Sequence, residues 1–268
     1  MCVTSGPARL SNTIIYAGQA QRDGALVHVL GYQNRAETRA GPNAMLLPFP
    51  SRAAMGPENV IDTTGCKNLL KDLAELGKPR TRSLGLTKGG PASARSVQVF
   101  NSGSYTVVLS QTARLIPEAL TQVPENRRPR VNEELFEAYT QWYPLWPIAL
   151  CCWDGAVDAE PLLWWYEPKD ETTLFYPGLD SHDGGVPQLG RRVDIDHTLI
   201  FPVAHGRGAA TKHVQMPDGV RRFIASDIES RESASVLPNG DWWLPADGNP
   251  RELALALHQR RTPPGAQA

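Results

Sequence analysis

The chain has 268 residues and a mass of 29.4 kDa, with 41% hydrophobic and 21% charged residues. That excludes a disulfide-stapled mini-domain, a collagen-like or coiled-coil rod and disorder over the whole chain. Lys and Arg number 27 against 28 Asp and Glu, a formal net charge of -1, so no global field draws the protein to nucleic acid or to an anionic membrane.

Three early runs read as short strands: Thr13 to Ala17, Leu26 to Tyr32 and Ala44 to Pro48, separated by Gly, Asn and Asp. Lys67 to Leu76 places Leu69, Leu70, Leu73 and Leu76 at helical spacing, with Gly77 beyond them. From Leu76 to Pro117 there is no Asp or Glu, whereas Lys78, Arg80, Arg82, Lys88, Arg95 and Arg114 all fall in that window. Its first half, about 78–95, reads as a flexible basic loop. Ser96 to Phe100 and Tyr105 to Ser110 flank a polar turn and predict a hairpin. After the basic knot Arg127-Arg128-Pro129-Arg130, Asn132 is positioned to cap a helix with Leu135, Phe136 and Tyr139 on its apolar face.

Ile148 to Trp153, Leu162 to Tyr166 and Thr173 to Tyr176 are rich in aromatics and predict core strands. Val193 to Val203, Lys212 to Met216 and Val220 to Ile228 follow as strands, the last two joined by a Pro217-Asp218-Gly219 turn. Asn249-Pro250-Arg251-Glu252 opens a last helix with Leu253, Ala256 and Leu257 turned inward. The expected fold is α+β: largely antiparallel β-sheets, as two stacked sheets, with three or four helices packed on the faces. It forms one domain over residues 1–261, followed by a frayed tail at 262–268.

No run of about 18 apolar residues and no basic, apolar leader is present, which points to a cytoplasmic protein. Cys2, Cys66, Cys151 and Cys152 show no paired spacing, so neither a disulfide framework nor a structural zinc site is expected. No cofactor is expected either, because the glycine-containing stretch Gly206 to Lys212 carries Thr211 where a phosphate-binding loop needs glycine.

Cys2 is the first candidate for chemistry. Removal of Met1 leaves a thiol and a free α-amine on one residue, the pairing an N-terminal nucleophile needs to attack a small amide or acyl bond. Asn34 or Asn43 would supply the oxyanion contact, and Arg22 or Arg35 would anchor a substrate carboxylate. The alternative is a non-enzymatic β-rich binding protein using its seven tryptophans, Trp164 and Trp165 foremost, as a ligand-stacking surface. A second alternative is a metal-dependent enzyme built on the histidines and aspartates of residues 182–213, with His182, Asp183, Asp196 and His197 as candidate ligands. Strand alternation opposes it, since Asp196 and His197 are adjacent and face opposite ways. A small-molecule substrate or ligand is the expected partner, nucleic acid is disfavoured, and oligomeric state is not legible.

Overall fold

The computed structural model describes residues 3–38, 41–78, 85–86 and 97–267. Cys2 and most of the basic 78–95 segment lie outside the described residues. The first element is a long hairpin of β1 (Ala8–Arg22) and β2 (Ala25–Thr38). Asp23 and Gly24 close it at φ 52° and 80°, the turn whose twist suits the flanking strands. Then come β3 (Asn43–Pro48), α1 (Leu69–Gly77), β4 (Gly85–Leu86), β5 (Val97–Ser102), β6 (Tyr105–Ser110), α2 (Ile116–Ala119) and α3 (Glu133–Trp142). The middle of the chain gives β7 (Ile148–Trp153), β8 (Ala156–Asp158), β9 (Leu162–Tyr166), β10 (Thr173–Tyr176) and β11 (Arg192–Pro202). The last part gives β12 (Ala209–Ala210), β13 (Gln215–Met216), α4 (Asp218–Arg221), β14 (Asp227–Pro238), β15 (Trp242–Pro245) and α5 (Pro250–Ala256).

Seven strands form one sheet in the order β12-β14-β11-β1-β2-β8, with β9 also on β2. Four form a second, β3-β7-β6-β5. All pairings in both are antiparallel except β1 with β11. Alternation divides the apolar side chains into layers. Ile15 and Ala17 of β1, with Leu199 and Phe201 of β11, face a core shared with Met45, Leu47, Val107 and Cys151 of the smaller sheet. Ile14, Tyr16 and Ile200 face the other way, onto Leu70 and Leu73 of α1 and Val220 of α4. The outer face of the smaller sheet packs Leu46, Val108 and Leu150 against Ile116 of α2 and Phe136 and Tyr139 of α3. The mixed, mostly antiparallel character is as expected.

Several details differ from expectation. The described residues hold five α-helices where three or four were expected. Val220 to Ile228 opens with a helical turn: Pro217 precedes α4, and Val220, Phe223 and Ile224 are buried at helical spacing, so Pro217-Asp218-Gly219 starts a helix and does not close a hairpin. Lys212 to Met216 yields only a 3-10 turn and the two-residue β13. Arg261, the last residue of the expected domain, exchanges backbone hydrogen bonds of 2.8 Å with Asp241 in both directions, and in the tail beyond it Pro263 is buried. Asn132 caps α3 as read, accepting from the Leu135 N–H at 3.3 Å, and Asn249 caps α5, accepting from the Arg251 N–H at 3.1 Å.

Candidate functional site

The residues proposed from sequence to serve Cys2 do not converge. Arg22, at the hairpin tip, lies 3.8 Å above the Trp165 ring, and Arg35 donates to Glu37 at 2.9 Å in the solvent. Arg35 pairs with Ser11, eleven residues along β1 from Arg22, which separates the two by about 35 Å at roughly 3.3 Å per residue. One substrate cannot bridge them. Asn34 is buried and accepts from the Tyr105 hydroxyl at 2.8 Å. Asn43 is committed to backbone: its Nδ2 donates to the carbonyls of Gly6 and Pro7 at 3.0 and 3.1 Å, and its Oδ1 accepts from the Ala44 N–H at 2.8 Å. Both amides are engaged in holding the fold, and Cys2, which they were expected to serve, lies outside the described residues.

What Asn43 holds is the N-terminal arm. Val3 and Thr4 are buried, the Thr4 N–H donates to the Ser181 carbonyl at 2.9 Å, and the Ser5 N–H donates to Ala44 at 2.8 Å. The arm thus bridges the β3 edge and the 180–183 segment. Beyond that segment lies a buried polar cluster. Asp241 is fully buried, accepting from the Tyr143 hydroxyl at 2.6 Å and the Gly178 N–H at 2.8 Å. Burial pushes its carboxyl up to about 6 and that of Asp180 likewise to about 6, while burial pulls His182 down to about 4. Arg260 supplies the cation, its Nε donating to the Gly240 carbonyl at 2.7 Å and its guanidinium lying 4.4 Å above the Trp242 ring. These groups brace one another.

The metal reading does not assemble. His197 is buried against the Trp242 ring while its neighbour Asp196 is exposed, as alternation dictates. His182 and Asp183 sit on the loop beside the arm, with Asp183 accepting from the Gly185 N–H and the Ser181 hydroxyl, each at 2.8 Å. Among the described residues no three His, Cys, Asp or Glu side chains converge to hold an ion. The thiols are equally withdrawn: Cys66, Cys151 and Cys152 are buried, and burial pushes Cys66 up to about 11 and Cys152 up to about 12. In the native protein at pH 8, iodoacetamide should leave all three unmodified on the timescale in which a free thiol reacts, with full labelling only in denaturant. Rapid native alkylation of any of them, seen by peptide mass spectrometry, would contradict the burial.

The tryptophans split as adjacent residues on strands must. Trp164 and Trp242 are fully buried, whereas Trp165 and Trp243 are half-buried. Trp164 packs against Phe49 and Phe100 with centroids at 5.4 and 6.1 Å, so it cannot stack on a ligand. Trp165 is held by its Nε1, which donates to the Glu58 carbonyl at 2.8 Å.

Trp243 lies in an open cleft of about 620 Å³ between the β10–β15 ribbon and α5. Its ring is backed by Phe175 and Trp146, with centroids at 4.9 and 5.9 Å, which fixes it in place. Pro245 and Ala256 extend the apolar floor, and Leu255 on α5 is 61% exposed at the wall. Asp247 and Glu252 line one side through the cap of α5, where Asn249 donates to Glu252 at 3.1 Å. Arg261 lines the cleft as well, on the backbone bridge to Asp241, and forms no ion pair with a carboxylate among the described residues. Leu255 carries the one signal in the sequence: it is a large apolar residue off the inward face of an otherwise well-marked helix.

No protein-family model matches the chain. No curated protein matches it either. Among solved structures it is similar to the crystal structure of baculovirus P35, with a TM-score of 0.40 and 16% identity over 74% of this chain and 66% of that one.

Proposed function

We propose that this is a non-enzymatic binding protein that takes a polypeptide partner in the cleft between β15 and α5. The observation that supports this reading is the composition of that cleft: a fixed indole and an exposed leucine line it together with Asp247, Glu252 and Arg261, which forms no ion pair among the described residues. Aromatic and arginine anchors within a polar rim are the make-up of a protein-binding surface, whereas small-molecule sites enclose most of their ligand. Both charge signs at the rim suit a polypeptide, which carries both.

A random-peptide library displayed on phage and panned on the protein tests the reading. Peptides should be enriched on the wild type and lose at least about tenfold in affinity, or roughly 1.4 kcal/mol, on Leu255→Asp and on Arg261→Glu. Both positions are surface side chains, so the melting temperature should stay within a few degrees. No enrichment, or peptides that bind the variants equally, would overturn it.

The N-terminal-nucleophile reading is the second proposal, supported by the anchoring of Val3 and Thr4 beside a segment that carries His182, neutral at pH 7. Cys2→Ala would then abolish amide hydrolysis and leave stability unchanged. Intact-mass analysis showing Met1 retained would end it.

A further inference from the structure

The ladder between β10 and β15 uses the even-numbered residues of β15: the Ala246 N–H donates to the Thr172 carbonyl at 2.8 Å, and Leu244 stands opposite Leu174. The odd-numbered residues therefore aim their backbone groups at the other edge of the ribbon, on the side of the cleft. Asp241, the first of them, is taken, since it exchanges two bonds of 2.8 Å with Arg261. Pro245, the last, has no N–H. Between them Trp243 offers one N–H and one C=O on that edge, and neither has a partner among the described residues.

A chain entering the cleft antiparallel to β15 runs from the Pro245 end toward Asp241. There Arg261 already holds the next outward position, so the entering chain has to end opposite Trp243. Charge sets the same direction. Arg261, opposite Asp241, is a diagonal neighbour of Trp243 on one face, lines the cleft and forms no ion pair among the described residues. Asp247 and Glu252 lie past Pro245, at the other end of a strand about 14 Å long at roughly 3.4 Å per residue. The remaining carboxylate of the cleft, Glu171, is matched by Arg52 at 3.4 Å. A polypeptide laid with a C-terminal carboxylate at Arg261 and a cation toward the acidic end meets opposite charge at both ends, and the reverse direction meets like charge.

Resting on the binding reading above, we propose that the cleft takes the free C-terminus of its polypeptide partner, extended along the edge of β15. The partner's last residue stands opposite Trp243. Its N–H donates to the Trp243 carbonyl, and its carboxylate accepts from the Trp243 N–H and from the Arg261 guanidinium, the charge-assisted kind of bond that holds an anion most firmly. Its side chain falls on the face of the indole, as that of a directly opposite residue does, which suits an apolar residue. A Lys or Arg a few residues earlier lies toward Asp247 and Glu252.

Two phage libraries of random short peptides, panned on the full chain, test this: one displays a free C-terminus, and the other is fused to the coat protein through its C-terminus. Enrichment should be confined to the first, with an apolar last residue. For a synthetic peptide of the selected sequence, C-terminal amidation should raise the dissociation constant at least about tenfold. Methylating the backbone nitrogen of the last residue should do the same, whereas methylating that of the residue before it should change little, because the two point to opposite edges of an extended chain. On Arg261→Gln the acid and the amide should bind alike, with a thermal melt as the control for folding. Enrichment from both libraries, or selected peptides indifferent to amidation, would overturn this proposal and leave the binding reading standing. No enrichment from either would overturn both.

Discussion

Replacing Arg260 with alanine should destabilise the protein by about 3–5 kcal/mol near pH 7 and by much less near pH 4. The larger figure is the order expected when a buried cation whose field reaches the buried carboxyls of Asp241 and Asp180 is removed, which leaves charge uncompensated in a medium that solvates it poorly. Asp241 and Asp180 are the charges left behind. Their folded-state values, raised by burial to about 6 in the presence of Arg260, would rise further without it. A carboxylate with a raised value contributes stability below its unfolded value, near 4, and loses that contribution as pH climbs through the folded value. The alanine variant should therefore fall away from the wild type across the interval from about pH 4 to pH 7. Urea denaturation at the two ends measures it. An equal loss at both pH values would mean that Arg260 acts through its packing on Trp242 alone, and the ionic account would fail.

Trp164→Ala should cost about 3–5 kcal/mol, the ordinary range for a large aromatic removed from a closed core. The indole is fully buried between the sheets, among Phe49, Phe100 and Met55, and little around it can collapse into the space. Its Nε1 has no hydrogen-bond partner among the described residues, so a phenyl ring in its place gives up apolar contact but strands no polar group. Trp164→Phe should for that reason lose less than half as much as Trp164→Ala. Guanidinium denaturation of the pair settles the matter. A ligand-stacking Trp164 would give the opposite pattern, with stability nearly unchanged.

The local fold was legible wherever one residue type had one physical use. Asn132 and Asn249 announced helix starts because an amide at that position satisfies an orphan N–H, and the structure makes those bonds. The β5–β6 hairpin and the aromatic strands β7, β9 and β10 were equally plain. β14 was not, because Glu229-Ser230-Arg231-Glu232-Ser233-Ala234-Ser235 has the composition of a solvated loop. Its strand form comes from a full ladder with β11, a partner no local pattern discloses. Site residues suffered in the same way. Asn34, Asn43, Arg22 and Arg35 are the right chemical types, but register on the long β1–β2 hairpin sends Arg22, Asn34 and Arg35 to different ends and faces of one sheet, and Asn43 sits on β3 of the other. The cleft at Trp243 needed the β10–β15 pairing and the placement of α5, both set by contacts distant in sequence.

The parallel pairing of β1 with β11 joins Ile15 to Leu199, and the arm joins Val3 to Ser181. During synthesis the β1–β2 hairpin is complete once Thr38 has emerged, yet one edge of β1 has no partner until the segment near residue 200, some 160 residues later, has followed. At about 5–20 residues per second, that edge waits on the order of ten seconds. Contacts this far apart in sequence also bring a large loop-closure cost before they return anything, which slows folding. The strand at the centre of the finished sheet is therefore the one most in need of a holding chaperone while the chain is being made, and refolding from denaturant should be slow and sensitive to concentration.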